Sequence, residues 1–271
     1  MKPVLHRPRK RFGQNFLHDG SIVQQIIAAI NPAESDHIIE IGPGLGVLTQ
    51  ELLPRVARVD AIELDRDIIP ILAKNCADLG NLQIHSADAL NFDYCSLGSS
   101  DRPMRIIGNL PYNISTPLLF KLLEHMMCIQ DMYFMLQKEV VDRLTANTNT
   151  SSYGRLSVMT QCRCDMQNLI AVSPSAFNPP PKVESAVISM RPYDIPPVHI
   201  EDMKIFSRVV TLAFAMRRKT LRNNFKGLID DKQWSNLSLD PTRRAETLSI
   251  EEFSKISSSF DSADQLARKN P

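Results

Sequence analysis

No acidic residue precedes Asp19, and none lies between Asp202 and Asp230. No apolar run approaches the length of a membrane span, and the basic N-terminus lacks the apolar core of a secretory leader. Cysteine is sparse and odd in number, with five residues at 76, 95, 128, 162 and 164. That count argues against a disulfide framework and predicts reduced thiols. Cys162 and Cys164 form a C-x-C, but no second pair or nearby histidine completes a zinc site, so no metal is expected. There is no internal repeat. These absences predict a soluble, cytoplasmic protein that does not enter a membrane. A monomer is expected, because no large apolar patch is left outside the predicted cores.

The 271 residues, 43% of them hydrophobic, suffice for one large domain and a small one. The formal net charge of +1 says little, but its distribution is uneven. Arg7, Arg9, Lys10 and Arg11 fill the first acid-free stretch. Arg217, Arg218, Lys219, Arg222 and Lys226 fill the second. Local basic patches on a neutral chain point to a polyanion bound at chosen places.

Residues up to about 190 alternate apolar strands with amphipathic helices. Strands are predicted at "HIIEIG", "VDAIEL", "LQIHSA", "RIIGNL" and "MYFMLQ", and helices at "GVLTQELLPRV", "DIIPILAKNCADL" and "TPLLFKLLEHMM". This is the pattern of a mostly parallel sheet with helices on both faces, an α/β fold. "LIAVSP" and "SAVISMRP" read as a strand pair at the sheet edge. "TANTNTSSYG" (145–154) reads as a mobile polar loop. The proline-rich "RPYDIPPV" marks a boundary, giving domains 1–193 and 198–271. The second domain reads as all-α, with a capping box at Ser249 and Glu252.

The chemistry gathers at the carboxyl ends of the predicted strands, where such sheets bind ligands. The first strand runs into Glu40-Ile41-Gly42-Pro43-Gly44-Leu45-Gly46. Glycines there let a ligand approach the backbone and the following helix. The spacing is G-x-G-x-G rather than the dinucleotide G-x-G-x-x-G, and Glu40 would repel a pyrophosphate. S-adenosylmethionine carries a sulfonium and no phosphate, so it suits an acidic turn. Glu63 ends the second strand, where an acid can meet ribose hydroxyls. Asp88 follows the third, placed to accept from an adenine amino group. The fourth ends in Asn109-Leu110-Pro111-Tyr112. An amide oxygen, a carbonyl aimed by proline and a flat ring together suit the N6 of a target adenine. Phe177, before three prolines, could close the base pocket from the other side.

The series "FGQNFL", "EIGPGLG", "IELD", "DAL", "GNLPYNIS" and "FNPPPKVES", in order over residues 12 to 191, resembles the KsgA (RsmA) family of small-subunit rRNA adenine-N6,N6-dimethyltransferases. "AFAMRRKTLRNNFK" extends the likeness into the C-terminal region. The resemblance implies a Rossmann-like S-adenosylmethionine-dependent methyltransferase fold with a mostly parallel seven-stranded sheet and a small helical C-terminal domain. It implies dimethylation of two adjacent adenosines in the 3′-terminal hairpin of 16S rRNA, on an assembling 30S subunit. Carried over by motif, Gln14, Asn15 and Leu17 contact the methionine part of the cofactor. Gly42 and Gly44 form its turn, Glu63 takes the ribose, and Asp88 the adenine. Asn109 touches both the cofactor and the target amine, Leu110 meets the amine as well, and Tyr112 and Phe177 flank the base. The two basic runs then contact RNA phosphates. Two alternatives stay open: a 23S rRNA adenine-N6 methyltransferase of the macrolide-resistance type, and a non-catalytic assembly factor. An NAD-dependent oxidoreductase fails on glycine spacing and acid placement.

Overall fold

The computed structural model describes residues 14–98 and 103–266. The chain forms two compact units. The first comprises the chain through Val141 together with Asp165–Pro192; the second comprises Asp142–Cys164 together with the chain from Tyr193 onward. One unit boundary falls inside the proline-rich stretch. Segment 142–164, by contrast, groups with the C-terminal helices rather than with the sheet.

The first unit opens with a short strand β1 (Phe16–Leu17) and helix α1 (Gly20–Ile30). Asp19 caps α1 by accepting from the backbone N–H of Ser21 at 2.9 Å. Val23, Ile26, Ile27 and Ile30 form its buried stripe. The alternation then runs β2 (His37–Ile41), α2 (Val47–Leu52), β3 (Arg58–Glu63), α3 (Ile69–Asn75), β4 (Leu82–Ser86), β5 (Met104–Asn109), α4 (Ser115–Leu123) and β6 (Ile129–Gln137). Helix α5 (Lys138–Leu144) crosses into the second unit, which contributes α6 (Arg155–Gln161). The chain returns through β7 (Cys164–Val172), β8 (Phe177–Asn178) and β9 (Ser185–Pro192).

The main sheet has seven strands in the order β4-β3-β2-β5-β6-β9-β7. Strands β4, β3, β2, β5 and β6 are parallel, and β9 runs antiparallel to β6. The predicted edge strands are therefore neighbours, with β7 outermost. Strands buried on both faces read as unbroken apolar runs, and for that reason β2 and β5 stood out in the sequence. A separate antiparallel pair joins β1 to β8, with Leu17 opposite Phe177.

Arg105 locks one end of this unit. It is 6% exposed. Its guanidinium donates twice to Asp131, at 2.9 and 3.0 Å, once to Asp36 at 2.7 Å, and to the carbonyl of Ile30 at 2.6 Å. One cation thereby ties β5 to β6 and to the end of α1.

Proline shortens two of the predicted helices. Helix α2 stops at Leu52 and Leu53–Arg55 continues as a 3-10 turn containing Pro54, whose ring nitrogen has no hydrogen to donate. Pro70 stands in the first turn of α3, so that helix starts later than its apolar pattern. The expectation that all thiols are reduced is corrected: Cys95 and Cys128 are joined as a disulfide, while Cys76, Cys162 and Cys164 are free and buried. Spacing could not reveal a pair brought together by loops 33 positions apart.

The second unit continues with α7 (Met203–Ala213), α8 (Leu221–Asn224), α9 (Asp231–Leu237) and α10 (Ile250–Ser257). The predicted capping box is present, with Ser249 Oγ accepting from the Glu252 N–H at 3.2 Å and Glu252 from the Ser249 N–H at 2.9 Å. The polar loop 145–154 is hydrogen-bonded to the segment 246–248. Its Asn149 N–H donates to the Glu246 carbonyl at 2.8 Å, and buried Tyr153 donates to the Leu248 carbonyl at 3.1 Å. Among the described residues, no helix is long and apolar enough to cross a membrane.

Candidate active site

A cavity of about 310 Å³ opens at the carboxyl ends of β2, β3, β4 and β5. Its walls bring together Gln14, Asn15, Leu17, Gly42, Gly44, Glu63, Asp88, Asn109, Leu110 and Tyr112. All are residues the sequence analysis names, and they come from segments up to 98 positions apart, from Gln14 to Tyr112.

The glycine turn is built by backbone geometry. Gly42, Gly44 and Gly46 have φ of +66°, +57° and +87°, a region side chains other than glycine enter at a cost. At Gly44 the space is also taken, since a Cβ would sit 3.1 Å from the Phe16 ring. Gly108, one residue before Asn109-Leu110-Pro111-Tyr112, serves a different end. A Cβ there would lie 2.6 Å from the Ile41 carbonyl. Its absence lets β5 lie close to β2, which carries Asn109 to the edge of the turn.

Acids surround this turn. Glu63 is 7% exposed, and burial pushes its carboxyl up. It accepts from the Asp65 N–H at 2.8 Å and from the backbone of Gly44 and Leu64. Glu40 lies beneath, where burial pushes its carboxyl up to about 7 although Thr49 Oγ1 donates to it at 2.6 Å. Asp88 is fixed by its own turn. The Leu90 N–H and Asn91 Nδ2 each donate to one of its oxygens at 2.9 Å. Each oxygen keeps a further lone pair for a ligand.

The first described residues cross one side of the cavity. Gln14 Nε2 donates to Asp65 Oδ2 at 2.9 Å, and Asn109 Nδ2 donates to the Asn15 carbonyl at 3.1 Å. A carbonyl can only accept, so the NH₂ end of Asn109 must face Asn15. Its oxygen is left as the acceptor. The Leu110 N–H is taken by the Met135 carbonyl at 3.1 Å. The Leu110 carbonyl accepts nothing among the described residues. Both residues line the cavity. Tyr112 stands beside them, its hydroxyl 3.0 Å from Ser185 Oγ.

Phe177 is not brought to this cavity. It is 3% exposed and lies in the core cluster with Leu17, its partner in the β1–β8 pair. Apolar burial explains a phenylalanine there without a ligand. Asp65 and Ser185 were missed by sequence reading. Asp65 ends "IELD" and Ser185 ends "FNPPPKVES", but neither motif gives them a role, and the partner of Ser185 is 73 positions away. Of the basic residues, Arg7, Arg9, Lys10 and Arg11 lie outside the described residues. Arg217, Arg218, Lys219 and Arg222 are exposed in the second unit. Arg217 donates to the Ser151 carbonyl, and Arg222 pairs with Asp231 at 2.9 Å.

The arrangement fits S-adenosylmethionine. A backbone cradle meets carboxylates at the next two strand ends, and the acids lining it suit a cation and oppose a pyrophosphate. Fold and cavity together define an S-adenosylmethionine-dependent methyltransferase with a Rossmann-like sheet. The chain belongs to the ribosomal RNA adenine dimethylase family, whose model matches residues 5–262. It is 50% identical over 251 residues to ribosomal RNA small subunit methyltransferase A of Marinomonas sp., covering 93% of this chain and 94% of the relative. It is 48% identical over 262 residues to the protein of that name from Pseudomonas putida, covering 97% and 96%. A crystal structure of a dimethyladenosine transferase from Plasmodium falciparum superposes with a TM-score of 0.73 at 27% identity, covering 89% of this chain and 95% of that one. The 23S rRNA methyltransferase ErmE shares the fold, with a TM-score of 0.71 at 22% identity over 92% and 100%.

Proposed function

We propose that this enzyme dimethylates N6 of two adjacent adenosines in the 3′-terminal hairpin of 16S rRNA, on the assembling 30S subunit. The carrying observation is the Asn109 amide, whose NH₂ is committed to Asn15 and whose oxygen is left to accept at the cofactor cavity.

The chemistry follows from what adenine N6 lacks. Its lone pair is delocalised into the ring and is a poor nucleophile. When Asn109 Oδ1 and the Leu110 carbonyl accept its two N–H groups, the nitrogen is drawn toward a tetrahedral geometry and the lone pair localises. Tyr112 holds the extruded base by its face. The bound cofactor supplies a methyl on a sulfonium. The lone pair forms the new N–C bond as the S–C bond breaks, and the surplus proton leaves the nitrogen for water. No strong base is needed in that step, which depends on positioning and on the field of the site. Gly42 and Gly44 cradle the donor, Glu63 takes its ribose, and Asp88 its adenine. Gln14, Asn15 and Leu17 cover its methionine end.

The basic residues 217–222 and 7–11 serve RNA phosphates, so binding weakens steeply with salt. The protein acts as a monomer in the cytoplasm, and its docking on the immature subunit also serves assembly. Identity near 50% to small-subunit methyltransferases over almost the whole chain favours this substrate over 23S rRNA. The test offers labelled S-adenosylmethionine with immature 30S particles or with 23S rRNA, followed by digestion to nucleosides. N6,N6-dimethyladenosine from the 30S particles is the expected product. Label confined to 23S rRNA would overturn the substrate, and no label in either would overturn the reaction.

A further inference from the structure

We propose that Ser185 is a positioning residue for the target base and governs the second methyl transfer more than the first. The inference rests on the reading of Tyr112 as the base platform. Stacking needs only the face of a ring, and phenylalanine would supply it. The hydroxyl of Tyr112 therefore calls for another explanation, and Ser185 provides one. Ser185 is 1% exposed at the start of β9, fixed opposite Gln137 of β6. Its Oγ lies 3.0 Å from the Tyr112 hydroxyl and has no other partner among the described residues. A buried hydroxyl without a partner is costly, so the two groups satisfy each other.

The bond fixes the direction of the ring. At the backbone end, Ser115 Oγ donates to the Tyr112 carbonyl at 3.2 Å. At the far end, the hydroxyl is tied to the sheet through Ser185. A turn of the ring about its own axis leaves the hydroxyl in place, whereas a swing of the whole side chain breaks the bond. Ser185 thus restrains the swing, the motion that would shift a stacked base. The proline-rich segment after Phe177 contributes to the site through its last residue rather than through the Phe177 ring.

The consequence differs between the two transfers. Unmodified N6 has two N–H groups for two acceptors and is held at both. Monomethylated N6 has one, so its position depends more on the platform. Loss of the Ser185 bond should therefore let the monomethyl product accumulate.

The test measures the ratio of N6-methyladenosine to N6,N6-dimethyladenosine on immature 30S particles, for wild type, Ser185→Ala, Tyr112→Phe and the double variant. Thermal melting and S-adenosylmethionine affinity are measured beside it. Each single variant should raise the ratio by about threefold to tenfold, the size expected for one hydrogen bond. The double variant should add little, because both changes remove the same bond. Cofactor affinity should match wild type. An unchanged ratio in active variants, or effects that simply add, would overturn the role. Tyr112→Phe keeps the ring in place, so it decides the matter even if Ser185→Ala folds poorly. A wild type that makes neither product would instead bring down the reading of the reaction, and this inference with it.

Discussion

Asn109 Nδ2 donates to the main-chain carbonyl of Asn15 at 3.1 Å, across 94 positions of sequence. The contact joins the first described residues to an amide at the carboxyl end of β5, both in the cavity wall. It also predicts what a near-isosteric change does. In Asn109→Asp the carboxylate keeps an acceptor but faces the Asn15 carbonyl with no hydrogen to give. Methyl transfer should fall by roughly 100-fold or more, as when a preorganised polar group is lost from a reacting site. Single-turnover rates check this, and near-normal transfer by the aspartate variant would show that the orientation assigned here is wrong.

Gly44→Ala should weaken cofactor binding. Alanine at φ of +57° carries left-handed strain of about 1 kcal/mol, and its Cβ would meet the Phe16 ring at 3.1 Å. Together these predict roughly a tenfold loss of affinity, about 1.4 kcal/mol. Titration calorimetry with S-adenosylmethionine is the measurement. Unaltered affinity would mean that the turn does not form the cradle.

Arg105→Met should destabilise the fold by about 3–5 kcal/mol, because it strands the buried carboxylate of Asp131. Urea unfolding reads this directly. Arg105 lies far from the strand ends that form the cavity, so a loss below about 1 kcal/mol would contradict its role as the lock between α1, β5 and β6.

Glu40 sets a pH dependence whose sign can be worked out. Its folded carboxyl titrates near 7 against an ordinary 4.5, so the folded state binds the proton more tightly than the unfolded chain. Stability from this group is greatest at low pH and is lost as pH rises from about 4.5 to about 7. Glu63, also pushed up by burial, adds to the same slope. Glu40→Gln should flatten the fall in melting temperature across that window. An unchanged slope in the variant would contradict a buried, readily protonated Glu40.

Much of this was legible because it is local. Strands buried on both faces announce themselves as apolar runs, and the glycine turn, Glu63, Asp88 and Asn109-Leu110-Pro111-Tyr112 each follow a strand end. What escaped is set by contacts between distant positions. The proline-rich neighbours of Phe177 do not reveal that it pairs opposite Leu17 or that it is 3% exposed. Cys95 and Cys128 meet only once their two loops are folded. Segment 142–164 sits inside a strand-helix alternation, but Tyr153 packs against Phe214 and joins it to the C-terminal helices. Asp65 and Ser185 each end a quoted motif, but their partners Gln14 and Tyr112 lie 51 and 73 positions away, so the motifs alone give them no role.

The central claim is that the Asn109 oxygen activates the target amine. The direct measurement compares wild type with Asn109→Ala on immature 30S particles, scoring methylated adenosine by nucleoside digestion and particle binding by sedimentation. Wild type should give N6,N6-dimethyladenosine and the variant none, with similar binding by both. Dimethyladenosine made by Asn109→Ala at a near-normal rate would contradict it.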